Sequence, residues 1–144
     1  MTEVDDPTQR WLQTFIAAHD GVAGTVHRVV GEGDEGVLRL SAAVNIPPKV
    51  QAITQTIPKG KGMAGLAWSR RAPVQTCNLA EDTTGDVRPG AKAVDARGAV
   101  AMPVYGDDEA VVAVVGIAYA DERVLDDASL TELADAAARL PPGR

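Results

Sequence analysis

The sequence predicts an α+β fold in which helices cover both faces of a central antiparallel sheet of five to six strands. Extended stretches occur in pairs joined by short polar turns, in the first third of the chain and again near residue 106, a pattern typical of β-hairpins. Amphipathic helical stripes lie near both termini, while shorter helices and a long loop occupy the middle. We therefore expect the terminal helices on one face of the sheet, and the short helices with the long loop on the other.

Length and composition limit the possible classes of protein. A chain of 144 residues normally forms one domain, and we expect a single domain over residues 1–144. Acidic residues outnumber basic residues by 20 to 14, which argues against a nucleic-acid or anionic-membrane partner. The start of the chain lacks the features of a signal peptide, and no apolar stretch reaches membrane-spanning length. The single cysteine excludes an internal disulfide and fits a reducing compartment, so the expected location is the cytoplasm.

The first elements are a helix and a hairpin. Asp6 and Pro7 predict the start of a helix over about residues 7–19, because Asp is a good N-cap and Pro fits the first helical position. Gly21 is expected to end this helix, whose apolar stripe consists of Trp11, Leu12, Phe15 and Ile16. Strands are predicted at 23–30 and 37–44. The core of the domain is expected to cover about residues 20–123.

The middle of the chain contains the most informative segment, IPKGKGMAGLAWSRRAPVQTCNL at residues 57–79. A short helix at 49–55 is expected before it. The segment reads as a short extended piece, a glycine-rich turn, a helix of about two turns and a second extended piece that Pro73 begins. Residues 77–95 follow without clear periodicity, and a loop of that length in a compact domain is usually functional or disordered.

Glycines at positions 60, 62 and 65 spell G-x-G-x-x-G, the pattern of a dinucleotide-binding turn. Pro58 interrupts the strand that such a turn requires, and Pro73 ends the helix too early for a parallel crossover. We therefore expect these glycines to allow a tight turn and close helix packing.

The last elements are a hairpin and a helix. Strands are predicted at 98–105 and 110–120, and the second is apolar on both parities, as expected for a central strand covered on both faces. Ser129 and Glu132 form a capping-box pattern at the start of a helix over about residues 126–140.

These segments resemble GAF domains. The run PKGKGMAGLA with the later Arg-Arg-Ala-Pro-Val-Gln is similar to the central Pro-x-Gly-x-Gly-hydrophobic-x-Gly … Pro-Val stretch of that family. The paired last strands also match, with Pro103 in the first and Gly116 in the second. The resemblance covers roughly residues 17–123 and implies a GAF/PAS-like fold, a small-molecule pocket beside the long loop, and pairing through the terminal helices.

The resemblance places a ligand site between the sheet, the glycine-rich helix and the long loop. Arg88 and Lys92 are suited to holding a carboxylate or phosphate, although loop charges most often serve solvation. Tyr119 is the expected polar group of an otherwise apolar wall. The predicted ligand-binding residues are Met63, Cys77, Asp82, Arg88, Lys92, Met102 and Tyr119.

The nucleophilic and metal-binding residue types are few. Cys77 is expected to be a small buried hydrophobe, or else a reactive thiol if a nearby base lowers its pKa. His27 is expected to be a satisfied strand histidine. No His, Cys or carboxylate cluster has metal-ligand spacing, so we predict no catalytic residue, no metal and no cofactor.

Several GAF functions do not fit this chain. The cyclic-nucleotide signature is absent, Cys77 is not followed by the histidine common at bilin attachment sites, and one cysteine cannot form the disulfide of a methionine-sulfoxide reductase. We expect a non-enzymatic sensory module that binds a small, anionic ligand, forms a homodimer and signals to a partner protein through its terminal helices. The alternatives are a ligand-free interaction module and, less favoured, a single-cysteine redox sensor.

Overall fold

The computed structural model describes residues 6–31, 36–76 and 97–141. Cys77, Asp82, Arg88 and Lys92 lie outside these ranges. The described elements, in chain order, are α1 (Asp6–Ala18), β1 (Ala23–Val30), β2 (Val37–Val44), α2 (Pro48–Thr54), β3 (Thr56–Pro58), α3 (Gly62–Arg70), β4 (Val74–Thr76), β5 (Ala99–Tyr105), β6 (Val111–Ala118) and α4 (Asp127–Ala137).

The strands form one six-stranded sheet in the order β3-β2-β1-β6-β5-β4. Every neighbouring pair is antiparallel, which confirms the predicted fold class. The strand predicted to be central, β6, lies between β1 and β5 and is covered on both faces. None of the described helices is long and apolar enough to cross a lipid bilayer.

The terminal helices α1 and α4 cover one face of the sheet, as predicted; this face is called the helix face below. Leu12, Phe15 and Ile16 of α1 pack with Leu133 and Ala137 of α4 in the largest buried cluster. The strands contribute large side chains to the same cluster: Val26, Val100, Met102, Val104, Val115 and Ile117. The apolar stripes of both helices are therefore used against the sheet.

The short helices α2 and α3 lie over the opposite face, called the cavity face below. Trp68 and Ala67 of α3 pack against Leu38, Ile57 and Val114. Strand residues alternate between the faces, because successive side chains of a β-strand point in opposite directions. In β5, Val100 and Met102 belong to the helix face while Ala99 and Ala101 belong to the cavity face.

Two helix ends differ from the prediction. The N-cap of α4 is Asp126, whose carboxylate accepts a hydrogen bond from the backbone N–H of Ser129 at 2.8 Å, so Ser129 is not the cap. The left-handed residue after α1 is Asp20, with a φ of 64°, rather than Gly21. Gly21 serves close approach instead, since a Cβ there would lie 2.6 Å from Cγ1 of Ile117.

The outer edge of β2 is covered only in part by β3, which pairs with Val37, Leu38 and Arg39. Beyond that point, the side-chain amide of Gln9 on α1 exchanges two hydrogen bonds with the backbone of Ala43. Its Nε2 donates to the carbonyl at 2.7 Å, and its Oε1 accepts from the N–H at 3.1 Å. An amide side chain thus occupies the place of a neighbouring strand.

Candidate functional site

A cavity of about 130 Å³ lies between the sheet and the helices α2 and α3. The strands β1, β3, β5 and β6 of the sheet contribute its floor, and residues of α2 and α3 form its roof. The described lining residues are Gly24, Thr25, His27, Ile46, Val50, Thr54, Ile57, Gly62, Met63, Ala64, Ala99, Val100, Ala101, Gly116, Ile117 and Ala118.

The cavity exists because the strands carry small residues on this face. Ala99 of β5 and Ala118 of β6 are paired across the sheet, and Gly116 faces the same space two residues earlier. Side chains of one or no carbon atoms leave the floor low, so α2 and α3 cannot fill the volume above it. The opposite face of the same strands is filled by valine, methionine and isoleucine.

The glycine-rich segment fixes the position of α3 over the cavity. Gly60 and Gly62 have φ values of 81° and 66°, a region that glycine adopts at little cost. A Cβ on Gly65 would lie 2.6 Å from the carbonyl oxygen of Pro58, so only glycine allows α3 to pack this closely on β3. These observations confirm the packing interpretation of G-x-G-x-x-G, since β3 and β4 pair antiparallel with their neighbours and no parallel crossover passes through α3.

His27 is the most unusual residue of the cavity wall. It lies on β1 with only 2% of its surface exposed, between Leu40 of β2 and Val114 of β6. Its Nε2 is 2.8 Å from the backbone carbonyl oxygen of Thr54 in α2. Its Nδ1 is buried and has no hydrogen-bond partner within the described structure. The side chain thus anchors α2 with one nitrogen and leaves the other unused.

The charge and tautomer of His27 follow from this geometry. Burial, opposed in part by the hydrogen bond to Thr54, lowers the pKa of His27 from 6.5 to about 4, so the ring is neutral near pH 7. A carbonyl oxygen only accepts hydrogen bonds, so Nε2 carries the proton and donates it. In the neutral ring, Nδ1 is then a bare acceptor.

The remaining described wall is apolar apart from two threonines. The hydroxyl of Thr54 donates to the carbonyl oxygen of Val50 at 2.8 Å and is therefore engaged within α2. Thr25 lines the floor, with its Oγ1 close to Gly116. No Asp, Glu, Lys or Arg side chain is among the described lining residues. In the same part of the chain, no group of three His, Cys, Asp or Glu residues is placed to hold a metal ion.

The structure brings only some of the predicted site residues together. Met63 of α3 lines the cavity. Met102 and Tyr119 are fully buried on the helix face, in the cluster with α1 and α4, and are separated from Met63 by the sheet. Strand alternation is the reason for Met102, because Ala99 and Ala101 occupy positions of the opposite parity in β5, which face the cavity. The predicted loop residues Cys77, Asp82, Arg88 and Lys92 lie outside the described ranges.

Tyr119 has a structural environment of its own. The guanidinium of Arg123 lies 4.1 Å from the centre of its ring, and Arg123 also binds the carboxylates of Asp20 and Asp121. Burial raises the pKa of the Tyr119 hydroxyl. This arrangement ties the segment after β6 to the end of α1 and does not contribute a polar group to the cavity.

The sequence prediction assigned His27 to a fully satisfied role and did not name most of the cavity wall. One signal was present in the sequence. The size alternation in β5, where Ala99 and Ala101 alternate with Val100 and Met102, separates a spacious face from a filled one. The sequence contains no comparable signal for the hydrogen bond of His27, because this bond depends on how α2 packs against β1.

The family assignment agrees with this architecture. The GAF domain family model matches residues 3–140, so the chain belongs to the GAF domain family. A search of curated proteins gave no significant match.

Solved structures similar to the chain share its fold at low identity. The GAF domain/HD domain protein of Geobacter sulfurreducens has a TM-score of 0.71 at 12% identity, covering 96% of this chain and 90% of that one. A mutant of NreA from Staphylococcus aureus, altered in its nitrate-binding site, has a TM-score of 0.69 at 12% identity, covering 89% and 98%. The type II free methionine-R-sulfoxide reductase of Thermoplasma acidophilum has a TM-score of 0.67 at 16% identity, covering 94% and 89%.

Proposed function

We propose that this GAF domain is a non-enzymatic sensory module that binds a small molecule in the cavity under α2 and α3. It reports occupancy to a partner protein through its terminal helices. The observation that carries the proposal is the cavity itself, about 130 Å³ of space over a floor of alanine and glycine. The GAF fold commonly serves as a ligand-binding sensory domain, and one protein of similar structure, NreA, has a nitrate-binding site.

The loose packing of this face supports a ligand. Side chains that border unfilled space lose the van der Waals contacts that the other face of the same strands makes, so about 130 Å³ without protein atoms represents lost packing. Larger residues at positions 99 or 118 would fill part of this space, and their absence favours a functional use of it.

A physical connection between cavity and helices supports the proposed output. The residue after His27 on β1 is Arg28, whose side chain points to the helix face. Its Nη2 donates to the hydroxyl of Thr8 on α1 at 2.9 Å and to the carbonyl oxygen of Pro141, just after α4, at 2.8 Å. Adjacent residues of β1 thus contact the cavity, α1 and the segment that follows α4, which gives a shift of β1 on ligand binding a route to the terminal helices.

The single cysteine supports a non-enzymatic role. Sulfoxide reduction by thiol chemistry ends in a disulfide, which needs a second thiol. The same cysteine count supports a cytoplasmic location. We also propose a homodimer that pairs through the outer surfaces of α1 and α4, which is supported by the partial burial of Trp11 and Leu130. Light scattering of the purified protein tests it, and a monomer mass excludes it.

Native mass spectrometry of protein purified from its own host tests the ligand proposal. We expect an added mass on the wild-type chain that is lost in Ala99→Leu, because the larger side chain enters the cavity. Ala17→Leu is the matched control, since Ala17 is exposed on α1 and its substitution should leave the added mass in place. A retained mass in Ala99→Leu, or a wild-type protein that binds no molecule in this assay and gains no stability from any added compound, contradicts the proposal.

Hydrogen exchange tests the output. Ligand binding should change the exchange of backbone amides in α1 and α4 as well as in α2 and α3. Protection confined to α2 and α3 contradicts reporting through the terminal helices.

A further inference from the structure

Helix α2 is the less firmly held half of the cavity roof. Resting on the proposed ligand-binding function, we propose that residues 46–54 form a flap that opens while the rest of the domain stays folded, and that its opening gives a ligand access to the cavity. Ile46, Val50 and Thr54 of this flap line the cavity, so its opening uncovers the space below. The hydrogen bond from His27 to Thr54 holds the flap closed, and His27 is a positioning residue that acts through α2.

The two roof helices differ in the amount of buried surface that holds them. In α2 only Val50 is buried, and Ile53 is 44% exposed. In α3 three residues are buried, namely Gly65, Ala67 and Trp68. Segments with few buried apolar contacts open locally at a lower free energy than the whole domain. We therefore expect α2 to open more often than α3.

Both ends of the flap are tied to the sheet by hydrogen bonds. Before it, the side-chain amide of Asn45 donates to the carbonyl oxygen of Val22 at 2.8 Å. After it, the carbonyl oxygen of Gln55 accepts from the backbone N–H of Leu40 at 2.8 Å. These ties hold the two ends in place, so the residues between them are able to move without displacing β2 or β3.

Between these ties, His27 makes the described hydrogen bond that joins α2 to a strand. Its Nε2 donates to the carbonyl oxygen of Thr54, the last residue of α2, at 2.8 Å. The last carbonyls of a helix have no partner within the helix, so this one depends on a donor from elsewhere. Because His27 is only 2% exposed, loss of its donor would leave the carbonyl oxygen without a partner in the closed flap.

A pair of introduced cysteines tests whether the flap opens by itself. In a chain whose own Cys77 is replaced by serine, Ala101→Cys places a thiol on the cavity floor and Ala113→Cys places one on the helix face. The two alanines are 4% and 0% exposed. Alkylation by iodoacetamide, followed by mass spectrometry, should be at least about tenfold faster at position 101 than at position 113. Equal rates would mean that the cavity is reached only by global unfolding, which overturns the inference.

Two substitutions of similar volume test the role of His27. His27→Leu removes the donor and should raise the rate of alkylation at position 101 about fivefold, as the loss of one net hydrogen bond allows. His27→Gln keeps an N–H donor for Thr54 and should leave that rate within about twofold of wild type. The rate at position 113 corrects both values for changes in global stability. A corrected rate that His27→Leu leaves unchanged overturns the inference.

Hydrogen exchange of the wild-type chain covers the case in which a variant does not fold. The backbone amides of Gln51, Ala52, Ile53 and Thr54 should exchange faster than the hydrogen-bonded amides of α3 under native conditions. Equal protection of the two helices overturns the inference.

Failure of the inference is distinguishable from failure of the proposed function. Alkylation and hydrogen exchange use no ligand, so a flap that stays closed overturns the inference and leaves the mass-spectrometry test of ligand binding intact. A flap that opens in a chain that binds no molecule contradicts the proposed function, and the role of the flap in ligand access falls with it.

Discussion

The two faces of the sheet are formed by the same strands but differ in how closely they are packed. On the helix face, Met102, Val115 and Ile117 are buried with side chains of the terminal helices in one cluster. On the cavity face, the adjacent positions are alanine and glycine, and the helices above them enclose space. The helices differ as well, since α4 has a side-chain N-cap while α2 and α3 have none. One face is therefore closely packed, and the other leaves space between the strands and the helices above them.

The two methionines give the largest expected effect and the most direct comparison of the faces. Met102→Ala should lower the free energy of unfolding by about 3–5 kcal/mol, because the side chain is fully buried in the helix-face cluster. Met63→Ala on the cavity face should cost less than about 1.5 kcal/mol, since Met63 is only partly buried and borders existing space. Urea denaturation measures both. Equal losses would mean that the cavity face is packed as tightly as the helix face.

The pH dependence of the free energy of unfolding tests whether burial holds His27 of the cavity face neutral. The pKa of His27 is about 4 in the folded chain and 6.5 when unfolded, so between these values the unfolded chain binds a proton that the folded chain does not. The free energy of unfolding should therefore fall as the pH drops from 6.5 to 4, by on the order of 3 kcal/mol, and this contribution should be constant below pH 4.

The variant His27→Gln separates this contribution from the acidic residues that titrate below pH 5. Its free energy of unfolding should show a smaller fall between pH 6.5 and 4 than that of the wild type, in the same denaturation experiment. Parallel pH curves for the two proteins would show that the ring is not held neutral by burial.

Substitution of alanine by leucine tests the same comparison of the two faces by adding side-chain volume. Ala113 is fully buried on the helix face, and Ala113→Leu should cost about 2 kcal/mol because the packed cluster has no room. Ala99→Leu on the cavity face should leave the apo protein within about 1 kcal/mol of wild type, since the added atoms enter the cavity. Thermal and denaturant unfolding in the absence of ligand are the measurements. A severe loss in Ala99→Leu would argue against open space at that position.

The smallest expected effect concerns the cap of α4. Asp126→Ala should lower the free energy of unfolding by less than Met102→Ala or Ala113→Leu, because only the hydrogen bond from the N–H of Ser129 to an exposed carboxylate is lost. The backbone hydrogen bond also lowers the pKa of Asp126, so part of this stability should be lost as the pH falls through that lowered pKa. Asp127→Ala, one residue later, is the control and should cost less. A larger loss in the control would place the cap at Asp127.

Much of the fold was predictable because local patterns and tertiary structure agree. The two-sided apolar pattern of β6 predicted a central strand, which the sheet order confirms. The resemblance to GAF domains, carried by the glycine-rich segment and the last hairpin, is confirmed by the family match. The end of α1 and the cap of α4 were displaced because more than one nearby residue was suitable, and the geometry of the backbone selected Asp20 and Asp126.

The site was less predictable because its residues are determined by the face of the sheet on which each side chain lies, and residue type alone does not give that face. Met102 and Tyr119 are large and apolar and were assigned to a pocket wall, whereas strand parity directs Met102 to the helix face, and small residues form the floor. The role of His27 depends on a backbone oxygen 27 residues further along the chain. Such a contact has no local pattern in the sequence, so it becomes visible only when α2 is placed over β1.

The pairing of Gln9 with Ala43 has a consequence for self-association. An uncovered strand edge is a template on which a second chain can add a strand, and it is a common starting point for aggregation. The N–H and carbonyl of Ala43 are both taken by one side chain, and the N–H of Leu40 is taken by the carbonyl of Gln55. Another molecule cannot add a strand to this stretch of β2 unless α1 first lifts away, so the N-terminal helix also protects part of the sheet edge from strand addition by a second chain.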